Sequence, residues 1–158
     1  MSEPGPRDPM LCSAGATTLR EARARYFREN GFEEDGGHAD RWVRIKLGPV
    51  PLSFPNTRGR RVALLPHDLH HVATGYATTL VGEAEIGAWE LASGCRTYYA
   101  AWVLNLGAVV IGLFLAPGRV LAAFRRGRRC TNLYHLGVDT GWPDETVEAL
   151  RRRLGLLA

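Results

Sequence analysis

Lysine is almost absent from this chain: Lys46 is the sole one among 20 lysine and arginine residues. Cysteine is scarce as well. Cys12, Cys95 and Cys130 are far apart, odd in number and in no CxxC pair. Such usage gives no disulfide framework and fits a reducing compartment. The opening MSEPGPRDPMLCSAGAT lacks the basic and apolar regions of a secretory signal, and it is poor in arginine for a mitochondrial presequence. A cytoplasmic protein is therefore expected, with residues 1–16, rich in Pro, Gly and Ser, as a disordered tail. No internal repeat, zinc finger, RNP-type aromatic pattern or long basic helix is present, so no nucleic-acid partner is expected.

What is present has ordinary globular proportions, 46% hydrophobic and 23% charged over 158 residues. That is enough chain for one core. The net charge of +4 is carried by arginine. It leaves an anionic membrane surface or an anionic substrate as the partners that charge alone would select.

Residues 17–158 read as a single, mostly α-helical domain with a short N-terminal β-hairpin or extended arm. In TLREARARYFREN, Thr18 and Glu21 form a capping box, and Asn30-Gly31 supplies the stop. RWVRIKL and VPLSFPN alternate apolar and polar residues around Gly48-Pro49, and their prolines permit only edge pairing. Helices are expected from about Val62 to Thr74, ending at Gly75, and from about Thr79 to Ser93, ending at Gly94. RVLAAFRRGRR reads as a short basic helix, and CTNLYHLGVDTGW as a loop. A final helix should carry Pro143 near its first turn, with Val147, Leu150 and Leu154 on one face.

The segment from Tyr98 to Ala116 holds no charge. Three placements suit it. The first is a central buried helix, the second a helix lining an apolar tunnel or lying against a membrane, and the third a span with the following arginines inside. Asn105, Gly107 and Gly112 weaken the apolar run and count against the span.

The richest chemistry lies in HDLHHVATGYATTLVGEAEIGAWE. On a helix, His67 and His71 stand one turn apart on the same face, and Asp68 falls within the same arc. A turn at Gly75-Tyr76 brings the next helix back antiparallel, which sets Glu83 level with His71. Two imidazoles and two carboxylates suit Zn²⁺, with Fe²⁺ or Mn²⁺ also compatible. The bland alternative is a hydrogen-bonded polar seam between two helices. Glu85 and Glu90 point elsewhere on the second helix, as solvated groups or as supports behind the ligands. His70 is a packing or supporting residue, and Trp89 a candidate wall of the site.

The spacing His67-Asp68-x-x-His71, eleven residues, then Glu83 resembles the motif of the coenzyme Q (ubiquinone) biosynthesis protein 4 family. The likeness runs on through HHVATGY, GEAEIGAWELA and FRRGRRCTNLYHLGVD, over about residues 60 to 157. It implies a helical fold in which His67, Asp68, His71 and Glu83 bind zinc and act in catalysis through it. It further implies a polyprenylated hydroxybenzoate as substrate, with the C1 carboxyl group removed and replaced by hydroxyl. Other implied partners are the inner face of an anionic membrane, held peripherally, and other quinone-biosynthesis enzymes. A homodimer is compatible with it.

Two rivals remain. One is a non-catalytic scaffold that presents a prenyl lipid to partner enzymes around a structural metal. The other is an HD-type phosphohydrolase using His38, His67-Asp68 and Asp139, which leaves His71 and Glu83 without a task. The arginine pairs at 125–126 and 128–129 read as a solvated basic face.

Overall fold

The computed structural model describes residues 17–32, 41–47 and 50–157. The expected tail at residues 1–16, His38 and the Gly48-Pro49 turn lie outside the described residues.

The chain is mostly helical. Helix α1, Leu19–Glu29, starts at Thr18, whose hydroxyl accepts the Glu21 N–H while the Glu21 carboxylate accepts the Thr18 N–H. Strands β1, Trp42–Leu47, and β2, Val50–Pro55, pair antiparallel in the register Trp42↔Pro55 to Leu47↔Val50. The hairpin option for the N-terminal arm is the one found. Helix α2, Arg58–Thr74, ends at Gly75 in the left-handed conformation, as expected. It begins a turn earlier than Val62 because the Thr57 hydroxyl accepts the Arg60 N–H. Helix α3, Leu80–Ser93, is capped by Thr79 and stopped at Gly94.

Helix α4, Tyr99–Leu115, is followed by α5, Pro117–Gly127, and Pro117 opens α5 at its first turn as well as ending α4. The expected loop after α5 contains a short helix, α6, Leu133–Leu136, capped by the Asn132 side chain. Pro143 belongs to a separate 3₁₀ turn, Trp142–Asp144. The last helix, α7, Val147–Arg153, starts at its own cap, Thr146, whose hydroxyl accepts the Ala149 N–H. That local hydrogen bond, rather than the proline, sets its first turn.

The main core joins α1, α2, α3, α6 and α7 through Leu19, Leu69, Trp89, Leu133, Leu150 and Leu154. Helices α4 and α5 both pack on α3, and glycine makes the approach possible. A Cβ at Gly112 would strike Ala84 and come within 2.9 Å of Val120 Cγ2. One at Gly127 would come within 2.9 Å of Trp89 Cα. Of the two glycines that weaken α4 as an apolar run, Gly112 thus serves close helix contact, whereas Gly107 faces open space.

The expectation of a central buried α4 does not hold. Only Ala101, Asn105 and Gly112 of α4 are buried, while Phe114 is 86% and Val103 72% exposed. A charge-free helix would ordinarily sink into the core, but α3 offers it only one narrow small-residue face. Among the described residues no helix is long and apolar enough to cross a membrane.

Candidate metal centre

The i, i+4 spacing on α2 places His67 and His71 on one face, and the α2–α3 turn returns Glu83 opposite them. His67 Nε2 and His71 Nε2 are 3.2 Å apart. Glu83 Oε2 lies 3.5 Å from His67 Nε2, and Glu83 Oε1 3.4 Å from His71 Nε2. Tetrahedral coordination with bonds of roughly 2.05 Å sets ligand atoms about 3.4 Å apart. The two nitrogens stand at that spacing, while Glu83 meets them through different oxygens, so a small turn of the carboxylate would bring one oxygen to an ion shared by all three.

The outer nitrogens fix which atoms face inward. His71 Nδ1 lies 2.9 Å from the Tyr76 carbonyl oxygen, which can only accept. Its Nδ1 therefore carries a proton, and in the neutral ring the lone pair falls on Nε2. His67 Nδ1 likewise donates to Glu90 Oε1 at 2.9 Å. Two lone pairs meeting at 3.2 Å beside a carboxylate repel unless a cation lies between them. The donor set thus fits a divalent metal, with a proton on His67 as the substitute cation. Burial opposes charge on His67, but Glu90 and Glu83 outweigh it and hold the imidazolium well above the ordinary histidine range. Burial also works against the Glu83 and Glu90 charges, yet hydrogen bonds and charge from His67 and its histidine neighbours pull both carboxyls below their usual range.

Glu90 is the hub behind the ligands. It is fully buried, as is His70. Its Oε1 accepts from His67 Nδ1 and from His70 Nδ1, the latter at 2.6 Å. Its Oε2 accepts from Asn105 Nδ2 at 2.6 Å and from the Tyr134 hydroxyl at 3.1 Å. His70 Nε2 accepts the Leu133 N–H, so its Nδ1 proton is committed to Glu90. Burial, partly offset by Glu90, keeps His70 below the ordinary histidine range. The arrangement is that of a carboxylate orienting a metal-bound imidazole and raising its basicity.

Of the four expected ligands, the structure gathers His67, His71 and Glu83 into one group with ligand atoms within 4.8 Å of one another. Asp68 lies outside it. Its Oδ2 accepts from Arg23 Nη2 at 2.8 Å and Nε at 3.2 Å, tying α1 to α2. Glu85 is neither solvated nor behind a ligand, since its carboxylate is held by Arg119 at 2.6 and 2.9 Å. Trp89 is fully buried, edge-on to His70 at 5.2 Å, behind the supporting layer rather than beside the ligands. Asp139 caps the Gly141 N–H and is not in the group, as the phosphohydrolase reading would require.

Sequence reading left Glu90 open and missed Asn105, Tyr134 and Tyr26. Glu90 carries a signal, because it stands seven residues after Glu83 and so on nearly the same face of α3. Asn105 and Tyr134 reach it from α4 and α6, and no local pattern announces either. Tyr26 stacks on the His71 ring at 5.4 Å. Burial, with the charges of Asp68 and Glu83, pushes its phenol well above the ordinary tyrosine range, so it stays a neutral donor.

Fold and site together define a mostly helical protein with a two-histidine, one-glutamate group able to hold a metal ion. No known family model, curated protein or solved structure matches the chain.

Proposed function

We propose that this protein is a metal-dependent enzyme of ubiquinone biosynthesis that acts on a polyprenylated hydroxybenzoate. The reaction releases the C1 carboxyl as carbon dioxide and puts hydroxyl in its place. That exchange is a two-electron oxidation and draws on an oxidant such as dioxygen from solution. Such a substrate is a lipid, so the protein works peripherally at a membrane.

The observation that carries the catalytic part is the pair of Nε2 atoms facing Glu83, with the outer nitrogen of each ring held by its own partner. Three protein ligands leave a coordination position for substrate, as catalytic zinc sites do, and two histidines with one glutamate is a set such sites use. Glu83 and His67 are partly open to solvent, with side chains 38% and 23% exposed. A bound metal would supply Lewis-acid stabilisation of negative charge on the substrate ring or its oxygens. His67, His71 and Glu83 would hold it. Glu90 orients His67, while Tyr76 and Tyr26 orient His71. The assignment to this substrate rests on the spacing of the motif and its flanks.

The exposed apolar face of α4 favours a second reading, a prenyl-lipid-binding scaffold without catalysis. One experiment separates them. Chelated protein is reloaded with Zn²⁺, Fe²⁺ or Mn²⁺ and given carboxyl-labelled polyprenyl hydroxybenzoate in air, beside Glu83→Ala. Release of labelled carbon dioxide that needs both metal and Glu83 supports the enzyme. Binding of the lipid without release in any metal form would replace it with the scaffold.

A further inference from the structure

The largest unexplained feature of the molecule is the outer side of α4 and its continuation into α5. Helix α4 is about 26 Å long at 1.5 Å per residue, shorter than a hydrocarbon core of roughly 30 Å. It lies against α3 along the edge marked by Ala101, Asn105 and Gly112. At 100° per residue, the exposed positions from Trp102 round to Leu115 sweep an arc of about 220°. Trp102, Val103, Leu106, Phe114 and Leu115 lie on it, all at least 41% exposed. Water-facing apolar surface on this scale marks an interaction site.

The width of the arc bears on the occupant. A single partner helix covers a stripe of roughly 100°, which would leave half of this surface wet. A bilayer covers it from every side. The chain then passes through Ala116 directly into α5, where Leu121 and Phe124 continue the exposed apolar surface. Round the helix from them, Arg125, Arg126 and Arg129 line, together with Ala122 and Leu156, a hollow of about 450 Å³. None of the three has an ion-pair partner among the described residues. Arg126 is held in place, its Nη1 donating to the Thr74 carbonyl at 3.3 Å and its guanidinium 5.5 Å from the Tyr76 ring centre. Apolar surface ending in a cationic hollow has the layering of acyl chains beneath phosphate headgroups.

We propose that α4 and α5 dock on an anionic phospholipid bilayer, with the apolar arc in the acyl boundary and Arg125, Arg126 and Arg129 on headgroup phosphate. The proposal deepens the membrane placement given above, but its geometry does not depend on the metal or on catalysis. It also places the membrane one helix away from the metal centre, since the buried edge of α4 supplies Asn105 to Glu90.

The test is co-sedimentation of the full chain with phosphatidylcholine vesicles and with vesicles containing added phosphatidylglycerol. Wild type should prefer the anionic vesicles, and salt should weaken that preference. Each arginine near such a surface is worth roughly 5-fold in partitioning, so Arg125→Glu with Arg129→Glu should weaken binding by about 25-fold or more. Val103→Asp with Phe114→Asp should lose binding to both vesicle types. Circular dichroism checks that each variant is folded. His71→Ala should bind vesicles as wild type does, so failure of the metal reading and failure of docking are told apart. Equal binding to both vesicles, or an unaffected arginine variant, overturns the proposal. So does self-association abolished by Phe114→Asp in a protein that ignores vesicles, which would assign the face to a second copy. Micromolar binding of inorganic diphosphate without lipid preference would assign the hollow to a soluble phosphate and overturn the lipid source.

Discussion

Replacing Glu90 by glutamine tests whether the buried carboxylate sets up the metal ligands. The substitution keeps the shape but leaves one acceptor oxygen and one NH₂ where two acceptor oxygens served four donors. With the amide oxygen towards His67 and His70, the NH₂ faces Asn105 and Tyr134. The Tyr134 hydroxyl can rotate to accept, whereas the Asn105 NH₂ meets another donor, at a cost of about 1–3 kcal/mol. Hydrogen bonds to the two histidines survive but lose the charge that makes them roughly twice as strong as neutral ones. The metal site also loses one negative charge from behind His67. Removing such an outer partner lowers metal affinity by roughly 10- to 100-fold, or about 1.4–2.7 kcal/mol. Chelator-competition titration of zinc reads the affinity, and urea unfolding of the metal-free protein reads the stability. Glu85→Gln is the control, since Glu85 is a buried acid on the same helix whose partner is Arg119. It should alter stability and leave affinity unchanged. Wild-type zinc affinity in Glu90→Gln, or an equal loss in Glu85→Gln, would refute the reasoning.

Three further outcomes are expected. Asp68→Asn should keep one metal per chain by elemental analysis while losing about 1–3 kcal/mol of stability from the Arg23 contact; loss of the metal would make Asp68 a fourth ligand. In the metal-free protein, stability from charged His67 is complete below its unfolded pKa near 6.5 and is lost as pH rises through its raised folded value. Stability from Glu83 and Glu90 is complete above the unfolded carboxylate range and is lost as pH falls through their depressed values. Melts with chelator should therefore fall at alkaline pH, and zinc should abolish that fall by replacing the proton on His67; identical alkaline limbs would refute this. Finally, Gly127→Ala should cost about 1–3 kcal/mol in urea unfolding despite alanine's helix preference of up to about 1 kcal/mol. The added Cβ meets Trp89 backbone that cannot give way, and a stabilised variant would contradict the packing.

Sequence alone determined the elements whose causes are local. Thr18 with Glu21, Thr79, Gly75 and Gly94 set helix ends through hydrogen bonds and backbone freedom within a few residues. His67 and His71 share a face because an α-helix repeats every 3.6 residues. A single turn then sufficed to bring Glu83 to them. Other features depended on distant partners. Asp68 carries the same periodicity as the histidines, but Arg23, 45 residues away, holds its carboxylate. The choice between a solvated and a supporting Glu90 needed Asn105 and Tyr134, which arrive from helices with no pattern in common. The burial of α4 could not be read from its own composition, because an apolar helix is equally suited to a core or to lipid. Tertiary structure decided it: α3 presents only a narrow glycine and alanine face, so one edge of α4 is covered and the rest is left outside.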